Sequence, residues 1–174
     1  MSDLEWDGTL DLTGSDPDAV GFPVVPSGTY EGHVGRAIWK RTENPDGSKA
    51  LPDGTPYLAI GVRINEDVED QDGVKVAGLY CGWTNLFVPP ADYDATKRTQ
   101  MNNRMANFLK AIGEDYTKKG YKMPTTDELE GSPLTVVVRK KFDKVQKKDV
   151  NEIEGFKPAG SAAAANEQTA GLLS

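Results

Sequence analysis

Cysteine and histidine are almost missing from this chain: among 174 residues there is one of each, Cys81 and His33. A single cysteine cannot close an intramolecular disulfide. It excludes a disulfide scaffold and a cysteine-rich zinc site, and it fits a reducing compartment. A single histidine leaves little room for a Ser–His–Asp triad, and no Gly-x-Ser-x-Gly elbow accompanies it. His33 reads as a surface residue of a strand, and Cys81, beside Gly82, as a buried structural thiol. Phosphate-binding and dinucleotide-binding glycine loops are also missing. No apolar run approaches the ~18 residues of a membrane-spanning helix. The first residues lack a basic stretch followed by an apolar one. The expectation is a cytoplasmic protein that is not an enzyme and holds no cofactor.

A metal site fares no better. The acidic stretch from Glu66 to Gly73 invites a calcium test. With Gly73 as the turn glycine of an EF-hand loop, the first and last ligand positions fall on Val68 and Leu79, which carry no oxygen donor. The stretch reads as a solvated hairpin loop.

What is present is a polarised charge distribution. The net charge is −7, which by itself disfavours contact with phosphates. Residues 1–28, however, hold six acids and no Lys or Arg, whereas residues 97–148 hold thirteen bases and six acids. One face can therefore be basic on an acidic protein.

Residues 1–21 read as a disordered acidic arm and 158–174 as a disordered C-terminal tail, since neither has the apolar periodicity to offset ordering. Between them, residues 22–157 carry the punctuation of a β domain. Pro23, Pro26 and Gly28 mark an opening turn, and strands are expected over about Thr29–Arg41, Tyr57–Asn65, Val74–Cys81 (continuing toward Phe87), Leu134–Phe142 and Val150–Phe156. The second has the cleanest alternation: Leu58, Ile60, Val62 and Ile64 against Tyr57, Ala59, Gly61 and Arg63. Gln100–Ile112 reads as an amphipathic helix with Gly113 as its stop, and Asp127–Leu129 as a further helical turn. The order β-β-β-α-β-β is that of a five-stranded OB-like barrel. Small sandwiches and SH3-like barrels with an inserted helix share it.

Basic residues alternate with aromatics on these strands. Single-stranded nucleic acid is held by aromatic faces that stack on bases and by cations that track phosphates. The expected DNA-binding set is Arg36, Trp39 and Lys40 on the first strand, Tyr57 and Arg63 on the second, Trp83 on the third, and Arg139 and Lys141 on the fourth. In this set Trp39, Tyr57 and Trp83 stack on bases and the cations hold phosphates. Tyr80 and Phe87 add aromatic character to the third strand.

The stretch Phe22-Pro23-Val24-Val25-Pro26-Ser27-Gly28-Thr29-Tyr30 resembles the opening of a group of phage early proteins. Leu129-Glu130-Gly131-Ser132-Pro133-Leu134 and the valine run after it are similar to their fourth strand, and Met101–Gly113 to their short helix. The resemblance spans about residues 22–157. It implies an OB-type fold and a single-stranded DNA-binding role in phage replication or recombination, in the cytoplasm of an infected bacterial host, with replication or recombination proteins as partners. Such proteins often end in an acidic tail. Here the acid lies in the N-terminal arm, and the C-terminal tail holds only Glu167. A small β-rich structural or decoration protein of a virion is the alternative.

Overall fold

The structure is a computed structural model that describes residues 7, 9–13, 24–43, 51–70 and 72–162. Five strands form one antiparallel sheet: β1 (Gly28–Arg41), β2 (Pro56–Ile64), β3 (Tyr80–Phe87), β4 (Pro133–Asp143) and β5 (Lys148–Lys157). Helix α1 (Ala95–Ala111) and the single turn α2 (Thr126–Leu129) lie between β3 and β4. The protein is mostly β, with one main helix, as its alternation and punctuation predict.

The strand order is β3-β2-β1-β4-β5. The long central strand β1 serves two neighbours. Its first half, Gly28–His33, pairs with β4, and Gly32–Arg41 pairs with β2. Register shifts at Val34/Arg36, Val62/Arg63 and Val137/Val138 add local twist and curl the sheet. The aliphatic row of β2 is fully enclosed, with Leu58, Ile60, Val62 and Ile64 at 0% exposure. Val34, Leu134, Val136 and Val138 complete that side, and Phe108 and Leu109 of α1 close over it.

The hydrogen-bonded ladder does not close. Helix α1 packs against both edge strands, β3 and β5. Asn107 supplies what a neighbouring strand would. Its amide donates to the Phe156 carbonyl (3.1 Å), and its Oδ1 accepts from the Phe156 N–H (3.0 Å). On the other edge, Arg104 reaches the Thr84 hydroxyl of β3 (3.5 Å). The helix thus covers an otherwise open strand edge. A second substitution of this kind extends β1 where β4 has diverged: Val34 exchanges backbone bonds with Gly131 and Ser132, and the Ala37 N–H donates to Glu130 Oε1.

Three boundaries differ from the sequence-based expectation. The helix starts at Ala95, not Gln100, because the Asp94 carboxylate caps it by accepting from the Thr96 N–H (2.8 Å). The third strand begins at Tyr80, not Val74. The Asp70 carboxylate accepts from the Asp72 and Val74 amides and folds this stretch into its own small hairpin, with Glu69 bridged to Lys75. That turn drops Val76 into the core at 1% exposure. The tail expected from 158 onward is held as far as Ala162. Glu31 on β1 accepts from the Gly160 and Ala162 amides (2.9 Å each) and from the Thr135 hydroxyl (2.8 Å). These bonds outweigh the partial burial of the carboxyl and keep its pKa below the usual value. Residues 163–174 lie outside the described residues, as does most of the acidic arm. Its described part, Asp7 and Thr9–Thr13, is exposed.

Candidate nucleic-acid interface

With Leu58, Ile60, Val62 and Ile64 turned inward, the alternate residues of β2 must face outward. Residues paired across two strands share a face. The register therefore builds the outer surface pair by pair. Lys40 lies opposite Tyr57, Ile38 opposite Ala59, Arg36 opposite Gly61, and His33 opposite Arg63. On the other flank, Phe87 lies opposite Tyr57, Asn85 opposite Ala59, Trp83 opposite Gly61, and Tyr80 opposite Arg63.

This face gathers four aromatic rings. Tyr57 and Phe87 meet at 5.1 Å between centroids with a 43° tilt, and Tyr80 and Trp83 stack at 5.6 Å and 24°. The Arg63 guanidinium lies 4.0 Å from the centroid of the Tyr80 ring, a cation–π contact, and also donates to the Gly78 carbonyl.

Two glycines make this arrangement possible. A Cβ at Gly61 would stand 2.7 Å from Tyr80 Cε1 and 2.8 Å from Trp83 Cε2 and Cζ2. A Cβ at Gly35 would stand 2.8 Å from both Arg63 Cγ and Tyr80 Cε1. The missing side chains let Tyr80, Trp83 and Arg63 approach the backbone closely, and the Gly35 site is also the bulge of β1. Trp83 nevertheless keeps 37% of its surface exposed. One exposed ring and three half-buried ones, bordered by cations, suit base stacking, and the exposed Arg36 and Lys40 border this surface on β1.

The structure thus brings together five of the eight residues expected from sequence: Arg36, Lys40, Tyr57, Arg63 and Trp83. Trp39 is not among them. It pairs with Leu58 and so falls on the opposite side of the sheet, near the end of β1, with 41% of its surface exposed. Arg139 and Lys141 face outward on β4, which β1 separates from β2 and β3. Each is matched by an acid of its own hairpin, Arg139 with Glu154 at 3.4 Å and Lys141 with Glu152 at 3.2 Å. Exposed pairs of this kind contribute about 0–1 kcal/mol, so they lower the readiness of these cations without removing them from use.

Gly35, Gly61 and the stacking partner Tyr80 were absent from the expected set. Their signal was faint: a glycine inside a strand pattern marks a bulge or a close approach, but not what approaches. The other chemically notable group, Cys81, is 1% exposed, and burial pushes its thiol up to about 12, so it stays protonated near neutrality. Among the described residues no group of three or more His, Cys, Asp or Glu is placed to hold a metal, and no helix is long and apolar enough to cross a membrane. Comparison with protein-family models and with curated proteins gives no match.

Proposed function

We propose that this chain binds single-stranded DNA, largely without sequence preference, on the outer face of β1, β2 and β3. The observation that carries this reading is the glycine-bedded aromatic surface. Tyr80 and Trp83 stack on each other and come close over Gly61, Tyr57 and Phe87 continue the surface, and Arg63, Arg36 and Lys40 supply charge for phosphates. Every base has a π-face, so such a surface accepts a strand of any sequence.

The architecture is compatible with an OB-like barrel. A central β1 shared by β2 and β4, and a helix between β3 and β4 that spans the two edge strands, are the arrangement such a barrel requires. The face made by β2 and β3 is then the one on which OB folds bind oligonucleotides. The resemblance of residues 22–157 to phage early proteins supports extending the proposal to the protection of single strands during phage replication or recombination, in the infected host's cytoplasm, alongside proteins of those processes. The net charge of −7 is what favours the competing reading, a virion structural or decoration protein.

A salt titration of oligo-dT binding, followed by tryptophan fluorescence, separates the two. The DNA-binding reading expects affinity that falls with salt. It also expects Trp83→Ala and Tyr57→Ala to bind more weakly with nearly the same salt slope. A parent protein that ignores oligo-dT at low salt would refute it.

A further inference from the structure

Helix α1 carries Lys97, Arg98, Arg104 and Lys110 and not one acid along its 17 residues. Its buried residues, Phe108, Leu109 and Ala111, are confined to the C-terminal part. Ala95–Gln100 and Asn102–Arg104 are all exposed. Lys97, Arg98 and Arg104 therefore stand on a stretch of helix that does little packing, and Lys110 is exposed between buried neighbours.

Among the described residues none of these four cations is in an ion pair. With no Asp or Glu in the helix, no i,i+3 or i,i+4 pair can form within it. Lys75–Asp67, Arg139–Glu154 and Lys141–Glu152 are ion pairs of the described residues that lie off α1. Lys97 and Arg98 also occupy the first turn, where the helix macrodipole disfavours positive charge. Lys97 lies 5.8 Å from the centroid of the Tyr93 ring. The segment that follows adds Lys118, Lys119 and Lys122 against Glu114 and Asp115.

The position of this helix is fixed. Asn107 ties it to Phe156 of β5, and Arg104 reaches Thr84 of β3. Thr84 lies between Trp83 and Asn85, both on the outer aromatic face. Thr84 itself pairs with the buried Ile60 and so turns to the core side, which sets Arg104 at the β3 edge beside that face rather than on it.

We infer that α1 is a second contact for the same ligand: a phosphodiester backbone that leaves the aromatic face at β3 and continues along Lys97, Arg98, Arg104 and Lys110. This rests on the single-stranded DNA reading and extends it. The β1–β3 face holds bases, and the helix holds backbone only. Contacts on the helix need a longer strand than contacts on the sheet.

The test compares the parent protein, a triple variant (Lys97→Gln, Arg98→Gln, Lys110→Gln) and Tyr57→Ala on oligo-dT of about 6 and about 20 nucleotides, lengths chosen around the site size of one such fold. Arg104 is kept in the triple variant so that its bond to β3 persists. On the long oligonucleotide the triple variant should lose about 2 from the slope of log affinity against log salt, at about 0.7 per charge for single strands. On the short one it should match the parent. Tyr57→Ala should weaken both. A triple variant with the parent's slope on the long strand, while the parent itself binds, overturns the helix contact and leaves the sheet site standing; an acidic protein partner for α1 would give that outcome. A parent that binds neither length overturns both.

Discussion

Replacing Gly61 with alanine is the sharpest probe of the aromatic face, because its effects on folding and on binding separate. The new methyl would lie 2.7 Å from Tyr80 Cε1 and 2.8 Å from Trp83 Cε2 and Cζ2, closer than carbon atoms tolerate. The rings must lift from the sheet. Overpacking in a closed core costs about 1–3 kcal/mol, and this site belongs at the lower end because surface rings are free to tilt outward. Losing part of the Tyr80–Trp83 stack costs about 0.5–1.5 kcal/mol more. Against this, alanine restricts the unfolded chain and returns about 0.4–1 kcal/mol. The net change in stability is therefore small, at most about 2–3 kcal/mol. Binding suffers differently. If the tilted rings can no longer receive a base, about 1–3 kcal/mol of stacking is lost, about a 5- to 150-fold drop in affinity. Urea unfolding gives the first quantity and an oligo-dT fluorescence titration at fixed salt the second, with near-UV circular dichroism reporting whether the rings have moved. A variant whose rings move but whose affinity stays within about twofold of the parent would refute the stacking role. A variant whose rings do not move would refute the close-approach argument.

Arg36→Ala with Lys40→Ala should flatten the oligo-dT salt slope by about 0.7 per charge, whereas Arg139→Ala with Lys141→Ala should change it less, since those two cations start out matched by acids; equal slopes for both double variants would contradict the assigned face. Glu31→Gln should destabilise the protein near neutral pH by about 2 kcal/mol, because a charged acceptor of the Gly160, Ala162 and Thr135 donors becomes a neutral one. The Glu31 pKa is lowered on folding, so its contribution is present above the unfolded carboxyl value and is lost as pH falls through the folded one; urea titrations of parent and variant should converge in acid, and a gap independent of pH would count against the clamp. Asn107→Ala should cost about 1–3 kcal/mol in urea unfolding by leaving the Phe156 N–H and carbonyl without their partner, and an unchanged midpoint would show that β5 needs no cover there. Deleting residues 1–20 should tighten oligo-dT binding at low salt and have little effect at high salt, since six acids then cease to compete for the cations; equal affinity at low salt would exclude that competition.

The five strands and the main helix were legible in the sequence because each is written in local periods. Alternation over Tyr57–Ile64 marks a strand with one buried side, and the spacing of Met105, Phe108, Leu109 and Ile112 marks a helix with one packed stripe, whichever neighbours they meet. Alternation within β1 separates Arg36 and Lys40 from Trp39 and Arg41. It could not say which of these rows joins Tyr57. That depended on Lys40, rather than Trp39, lying opposite Tyr57, a matter of register between two strands. Tertiary structure alone likewise set Glu154 and Glu152 against Arg139 and Lys141, laid the Tyr80 and Trp83 rings over Gly61, and held Gly160 and Ala162 on Glu31, a residue about 130 positions earlier. Periodicity assigns each side chain to one side of its own element. Which groups meet across elements is decided by register, bulges and the burial of the whole sheet, and in this protein the candidate site is made of such meetings.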